Sequence, residues 1–269
     1  MSLIKLPVFL LVYLSVNMAF AQVYTSSISA ATGGTGRAAI EPGDSLLLNP
    51  AAVPHLKGRF LFTSFAKDEL AASLSDNTEE STIPAGFSFV QKKSTSSMGD
   101  LKQQDLAVTF AEFFFAKWTV GLTGHYLTMN VPTANYSQTN ADLGFLYTPR
   151  DNLGFGLVVY NVFGEKDSIP KEFRPKTSAA GGLNYIYHDS TRFRLDVTSE
   201  SVYEAGLEMY FNRFFIGRMG YSDDTDDERQ LVTAGLGFNG PRFQINYAYQ
   251  ANTEKSGDYR HSIDLIIPF

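Results

Sequence analysis

The chain has 269 residues, 14% of them aromatic, no cysteine, and 28 acidic against 22 basic side chains for a net charge of −6. This composition excludes a disulfide framework and a cysteine-linked lipid anchor, and it offers no basic surface for a nucleic-acid partner. No stretch reaches the roughly 18 consecutive apolar residues of a membrane helix. A strand that alternates apolar and polar residues escapes that test, so the mean hydropathy of −0.11 does not exclude a membrane barrel.

The first residues read as an export signal. Lys5 precedes an apolar run, Leu6 to Val16, and Ala19-Phe20-Ala21 supplies the small-x-small pattern of a cleavage site. Domain boundaries are therefore expected at 1–21 (signal peptide), 22–57 (an N-terminal segment) and 58–269 (the body). The N-terminal segment is unlike the rest. It is rich in small residues (ATGGTGRAAI, 31–40) and continues as EPGDSLLLNPAAV (41–53). A helical turn is expected from Asp44 or Ser45, both good helix-capping types, with Pro50 forcing Asn49 out of helical geometry and ending the turn.

From residue 58 the period is two. In RFQINYAYQ (242–250), Phe243, Ile245, Tyr247 and Tyr249 share one face. In RFRLDVT (192–198), Phe193, Leu195 and Val197 oppose Arg192, Arg194, Asp196 and Thr198. Fourteen such segments are expected: 58–65, 68–75, 82–92, 104–114, 117–128, 140–148, 153–162, 177–188, 192–199, 202–211, 214–222, 230–239, 242–251 and 259–269. Long polar connections (93–103, 129–139, 163–176, 223–229, 252–258) alternate with tight turns in five of seven pairs. That is the asymmetry of outer-membrane barrels, with long loops outside the cell and short turns in the periplasm. The last segment, YRHSIDLIIPF, is apolar at alternate positions through the terminal Phe269. The fold class is all-β: a transmembrane antiparallel up-and-down barrel of about 14 strands, in the cell outer membrane of a Gram-negative cell, with lipid bilayer and lipopolysaccharide around it.

Two stretches resemble a known group. ATGGTGRAAIEPGDSLLLNPAAVPHL (31–56) is similar to the opening of the FadL superfamily, through Gly33, Gly34, Gly36, Asp44 and Asn49-Pro50-Ala51. ADLGFLYTPRDNLGFGLVVYNVFG (141–164) looks like the PorV/PorQ branch, which serves type IX secretion; where that branch usually has Asn-Leu-Gly, this chain has Asn161-Val162-Phe163-Gly164, one residue longer. The resemblance implies that the N-terminal segment folds inside the lumen as a hatch. A barrel this wide cannot be filled by its own side chains, which gives such a plug a physical purpose. It further implies that Phe269 is read by the barrel-assembly machinery. A break in the third strand, at Pro84 and Gly86, would open a sideways exit; an ordinary strand start accounts for the same residues.

No catalytic pattern stands out, and neither a metal nor a cofactor is expected. Ser262 and His261 are adjacent in a strand and so point to opposite faces. Phe113, Phe114 and Phe115 read as interfacial aromatics, and DDTDDE (223–228) as a solvated acidic loop. Arg192, Arg194, Asp196, Glu204, Glu208, Arg260 and Asp264 are expected to face the lumen, either as a path for polar solute or, preferably, as internal ion pairs. Two functions remain open. One is passive transport of hydrophobic or amphipathic small molecules, FadL-like. The other is a PorV/PorQ-like partner in protein secretion or surface attachment, with a purely structural barrel behind both.

Overall fold

The computed structural model describes residues 24–96 and 98–269; the expected signal peptide lies outside them. Fourteen strands follow one another around a closed antiparallel barrel: β1 Gly58–Ala66, β2 Glu69–Asn77, β3 Ala85–Ser96, β4 Gly99–Phe115, β5 Trp118–Val131, β6 Ala134–Arg150, β7 Leu153–Tyr160, β8 Ser178–Tyr187, β9 Thr191–Thr198, β10 Val202–Tyr210, β11 Phe215–Asp224, β12 Arg229–Asn239, β13 Gln244–Asn252 and β14 Tyr259–Pro268. β1 pairs with β14, from Phe60–Pro268 to Ala66–Ser262, so no edge is left unpaired.

The exterior is what fixes the solvent. Leu122, Leu157, Leu195, Leu236 and Ile263 are each about half exposed or more, from 50 to 66%. Apolar side chains repeat outward on every second residue, as lipid requires. Rings flank this band. Next to the turns that share a side with both chain ends lie Phe115, Trp118, Tyr147, Phe155, Phe211, Phe215, Phe238 and Phe243, with Trp118 and Tyr147 stacked at 4.3 Å. At the opposite rim stand Tyr203, Tyr221, Tyr249 and Tyr259. Tyr203 and Phe211 are separated by about 26 Å of strand, roughly 20 Å of height after tilt, as two interfacial belts should be.

Two of the expected long loops are not loops. Residues 93–103 and 129–139 continue the ladders, pairing Ser96 with Gly99 and Val131 with Ala134. β4 and β6 are therefore 17 residues long, and β3–β6 form a wall taller than the rest of the rim. Along β4 the outward residues change from Phe110, Val108 and Leu106 to Gln104, Lys102 and Asp100. Above the bilayer the outer face is wet, so the apolar half of the alternation vanishes and the sequence reads as loop. β3 also starts later than expected. It begins at Ala85, because Pro84 has no N–H to give the ladder.

Inside, residues 24–57 run around the lumen wall. α1, Ser27–Ala31, packs against β11–β14. A 3₁₀ helix, Pro50–His55, packs against β4, β5 and β6 before the chain enters β1. At the helical turn expected from Asp44 or Ser45 the chain makes two successive turns, with Ser45 N bonded to Glu41 O and Leu48 N to Asp44 O, and no longer helix. Asn49 is extended (φ −148°, ψ 104°), as Pro50 was expected to make it, and Pro50 also begins a 3₁₀ helix. Proline suits a first helical position, where its missing N–H is not needed, and Asn49 supplies the cap.

Candidate functional site

The hatch is seated by shape first. Many strands of the wall place a glycine where the hatch backbone passes. A Cβ on Gly121 would strike Pro50 and Ala51, on Gly144 the Asn49 side chain, on Gly156 the Arg37 carbonyl, and on Gly220 the backbone of Thr32 and Gly33. Gly33 and Gly34 adopt φ of 76° and 99°, which lets the chain turn along this track. Asn49-Pro50-Ala51 forms a clip. Asn49 Nδ2 donates to Arg37 O at 2.6 Å and to Phe145 O at 3.2 Å, its Oδ1 accepts from Ala51 N at 3.0 Å, and Thr119 Oγ1 donates to Ala51 O at 2.6 Å. One side chain thus ties two passes of the hatch to each other and to β6. Asn49→Ala should lower hatch stability by about 1–2 kcal/mol. Hydrogen exchange at residues 50–56 should rise, with Asn49→Asp, which keeps the cap but loses the two donors, in between.

Charge seats it second. Arg192, Arg194, Asp196, Glu204, Glu208, Arg260 and Asp264 all point inward, but most of them grip the hatch. Arg37 pairs with Glu204 and, at 3.3 Å, with Asp196; Gly36 N and Arg37 N also donate to Asp196 at 2.8 and 2.9 Å. Glu41 accepts from Arg192 and from Arg194. Asp44 lies 3.9 Å from Arg194 and accepts from Ser26. Glu208, fully buried, pairs with Arg192, Arg194 and Arg218. Asp264 accepts from both the N–H and the hydroxyl of Ser27, at 2.6 and 2.7 Å. Arg260 pairs instead with Glu69, at 2.6 Å. Four arginines (37, 192, 194, 218) therefore meet five carboxylates (41, 44, 196, 204, 208), an excess of one acid. Burial pushes the Asp44 carboxyl up to about 7, against the pull of Arg194 and Ser26. The residues not singled out from sequence are Arg37, Glu41 and Arg218. Arg37 and Glu41 were detectable in principle: with Asp44 and Lys57 they are the charged residues of 24–57.

Above the hatch lies a cavity of about 110 Å³ that is partly open to solvent. Leu46 and Leu47 belong to its lining, with Val90 of β3, Leu127 of β5 and Tyr160 of β7. His125 sits in this wall with Nδ1 2.9 Å from Asp105 Oδ2 and Nε2 2.9 Å from Asp142 Oδ2, so both ring nitrogens are held by carboxyl groups. At the mouth, the β7–β8 connection turns inward. Its Ile169 and Phe173 are buried against Leu101, Met129 and Val131 on the lumen face of the tall wall. The polar sequence of 163–176 hid this, because only two of its apolar residues carry the packing. Ser262 faces Ser27 inside and His261 lies outside beside Tyr247, so the two do not meet. Phe269 is exposed beyond β14, its N–H bonded to Arg59 O. Gly86 is paired on both sides, with Ser75 and Thr109, and a Cβ there would strike Leu46.

No protein-family model matches the chain, and no curated protein sequence does. Solved structures do. The Pseudomonas putida toluene transporter TodX aligns with a TM-score of 0.67 at 13% identity, over 92% of this chain and 98% of that one. This chain has the FadL-type fold. The monoaromatic hydrocarbon channel CymD gives 0.68 at 12%, over 93% and 99%, and a Pseudomonas aeruginosa FadL homologue 0.67 at 10%, over 91% and 98%. At these identities the likeness is one of architecture.

Proposed function

We propose that this protein is an outer-membrane channel through which small hydrophobic or amphipathic molecules move passively, gated by the hatch. The observation that carries the reading is the cavity itself. It lies between an apolar cap at the mouth, Ile169 and Phe173 on Met129, and a hatch whose Leu46 and Leu47 form part of its lining. Solutes would partition under the cap, rest on the hatch, and pass when it shifts. The toluene transporters and hydrocarbon channel that share the fold support this choice. A sideways exit at Pro84 and Gly86 would have to part the β2–β3 ladder, which runs unbroken from Asp76–Ala85 to Glu69–Lys92, and move Leu46 off Gly86. A hatch shift towards the periplasm carries Leu46 with it and leaves that ladder intact.

The bilayer and lipopolysaccharide would meet the aromatic belts, and the assembly machinery would read the last strand to Phe269. One observation favours a secretion-partner role as a second reading: the tall wall presents polar outward residues, such as Lys93, Asp100, Asn135 and Thr139, well clear of the apolar band. Uptake of labelled toluene into proteoliposomes decides. Entry above that of protein-free vesicles is expected. Absence of entry, with co-purification of a large secreted or periplasmic protein, would favour the second reading.

A further inference from the structure

On the outer face of the tall wall, successive rungs of the β3–β4 ladder change character. Phe87 faces Val108 and Phe89 faces Leu106 in the apolar band. The next outward rung pairs Gln91 with Gln104, whose amides lie 3.4 Å apart, and the one above it pairs Lys93 with Lys102. Two like charges directly opposite each other weaken a ladder. Neither ammonium group has an ion-pair or hydrogen-bond partner among the described residues. Asp100 lies one rung higher on the same face. Asp68 sits in the turn whose carbonyl accepts from Lys93 N at 2.8 Å, with Lys67 beside it to offset its charge. Asn130, opposite Lys102 on β5, is neutral. The wall thus holds two positive charges side by side that nothing in this chain answers.

Their height says what does. The interval from Trp118 to Tyr126 on β5 matches that from Phe211 to Tyr203, so Tyr126 stands at the upper belt, and it is paired with Leu106. Lys102 is four residues beyond Leu106, about 13 Å of strand and roughly 10 Å of height after tilt. A lysine stem lies back along such a surface while its charge stays in water, which places both ammonium groups at the headgroup layer. In the outer leaflet of an outer membrane the anion at that level is phosphate, carried by the acyl-bearing end of lipopolysaccharide. The loop between β11 and β12, nearly across the barrel, presents Asp226, Asp227 and Glu228 instead. A phosphate between Lys93 and Lys102 would end the repulsion between them. Its acyl chains would lie below, on Phe87, Phe89, Leu106 and Val108.

We propose that Lys93 and Lys102 form a binding site for a phosphate group of lipopolysaccharide on the outside of β3 and β4. The site rests on the outer-membrane placement of the barrel and not on the channel reading. Native mass spectrometry of the full barrel, titrated in detergent with diphosphorylated lipid A, tests it. Fully dephosphorylated lipid A should bind about tenfold more weakly, and inorganic phosphate should not compete at equal concentration. Lys93→Gln/Lys102→Gln should bring the diphosphorylated lipid down to the dephosphorylated one. Because it removes a like-charge rung, this variant should not lower the melting temperature of the barrel. Lys171→Gln/Lys255→Gln takes the same charge from rim loops and should leave binding unchanged. Equal affinity for the two lipids, an undiminished affinity in Lys93→Gln/Lys102→Gln, or the same loss in the loop variant would overturn the proposal. Inorganic phosphate binding as tightly as the lipid would mean an adventitious ion only and would overturn it too. Toluene uptake by Lys93→Gln/Lys102→Gln should match the unaltered protein, so failure of this site and failure of the channel reading are read separately.

Discussion

Replacing Arg37 with alanine should release the hatch while leaving the barrel standing. Glu204 and Asp196 face each other directly across β9 and β10, two carboxylates on one rung of a buried wall. Arg37 reaches both. Asp196 would keep the N–H groups of residues 36 and 37, but Glu204 has no other cationic partner among the described residues. Removing one partner of a buried pair costs about 3–5 kcal/mol, because the remaining charge stays buried. That is comparable to everything a short segment of turns contributes. The cost falls on the hatch, because the strand ladders do not depend on it. Hydrogen exchange should therefore rise by two orders of magnitude or more at residues 26–48 and stay unchanged in the strands. Arg37→Lys should recover part of the loss, having the charge without the planar fork. Exchange unchanged in Arg37→Ala would mean that the pairs do not hold the hatch.

The second large effect is steric. Gly206 lies on β10 opposite Arg194 and Gly220, where a Cβ would come within 2.5 Å of Thr32 Cβ and 2.6 Å of Thr32 O. The obstructing carbonyl is backbone, so no rotamer change relieves it. Gly206→Val should push α1 and the Gly33–Gly34 turn off the wall at a cost of about 1–3 kcal/mol or more. The strand itself should gain slightly, since valine suits a strand better than glycine. The expected signature is divergent: unchanged or higher barrel melting temperature, with faster proteolysis within 24–57. Gly124 faces outward with no atom near its Cβ position, so Gly124→Val should change neither. Loss of both readings together in Gly206→Val would show that the glycine serves the strand and not the hatch.

How much of this was readable beforehand follows from what each segment borders. Wherever lipid lies on one side and lumen on the other, the alternation is sharp, and all fourteen strands were placed from it. It failed at 93–103 and 129–139, where β3–β6 climb into water and their outer residues turn polar. Of the two readings of Pro84, the strand start is the one seen, with β3 beginning at Ala85, and Pro50 holds Asn49 extended as expected but also opens a 3₁₀ helix that was not foreseen. Proline marks a boundary without saying on which side of it the element lies. In the hatch, the small residues and Asn49-Pro50-Ala51 announced a compact segment. Its partners did not show, because Arg37 finds Asp196 and Glu204 some 160 residues away, and wall glycines such as Gly144 and Gly156 look like ordinary weak points in strands. The pairing of His125 with Asp105 and Asp142, only 20 and 17 residues away, was hidden for another reason: it depends on the register of β4, β5 and β6.

The central claim is that residues 24–57 gate the lumen. Planar-bilayer conductance of the intact barrel, compared with one lacking those residues, tests it most directly. The intact protein should show little steady conductance, with Arg37→Ala and Gly206→Val leaking in between. The truncated barrel should conduct openly, since about fourteen strands enclose more space than their side chains fill. An intact barrel that already conducts freely, or a truncated and correctly folded one that stays closed, would contradict the account.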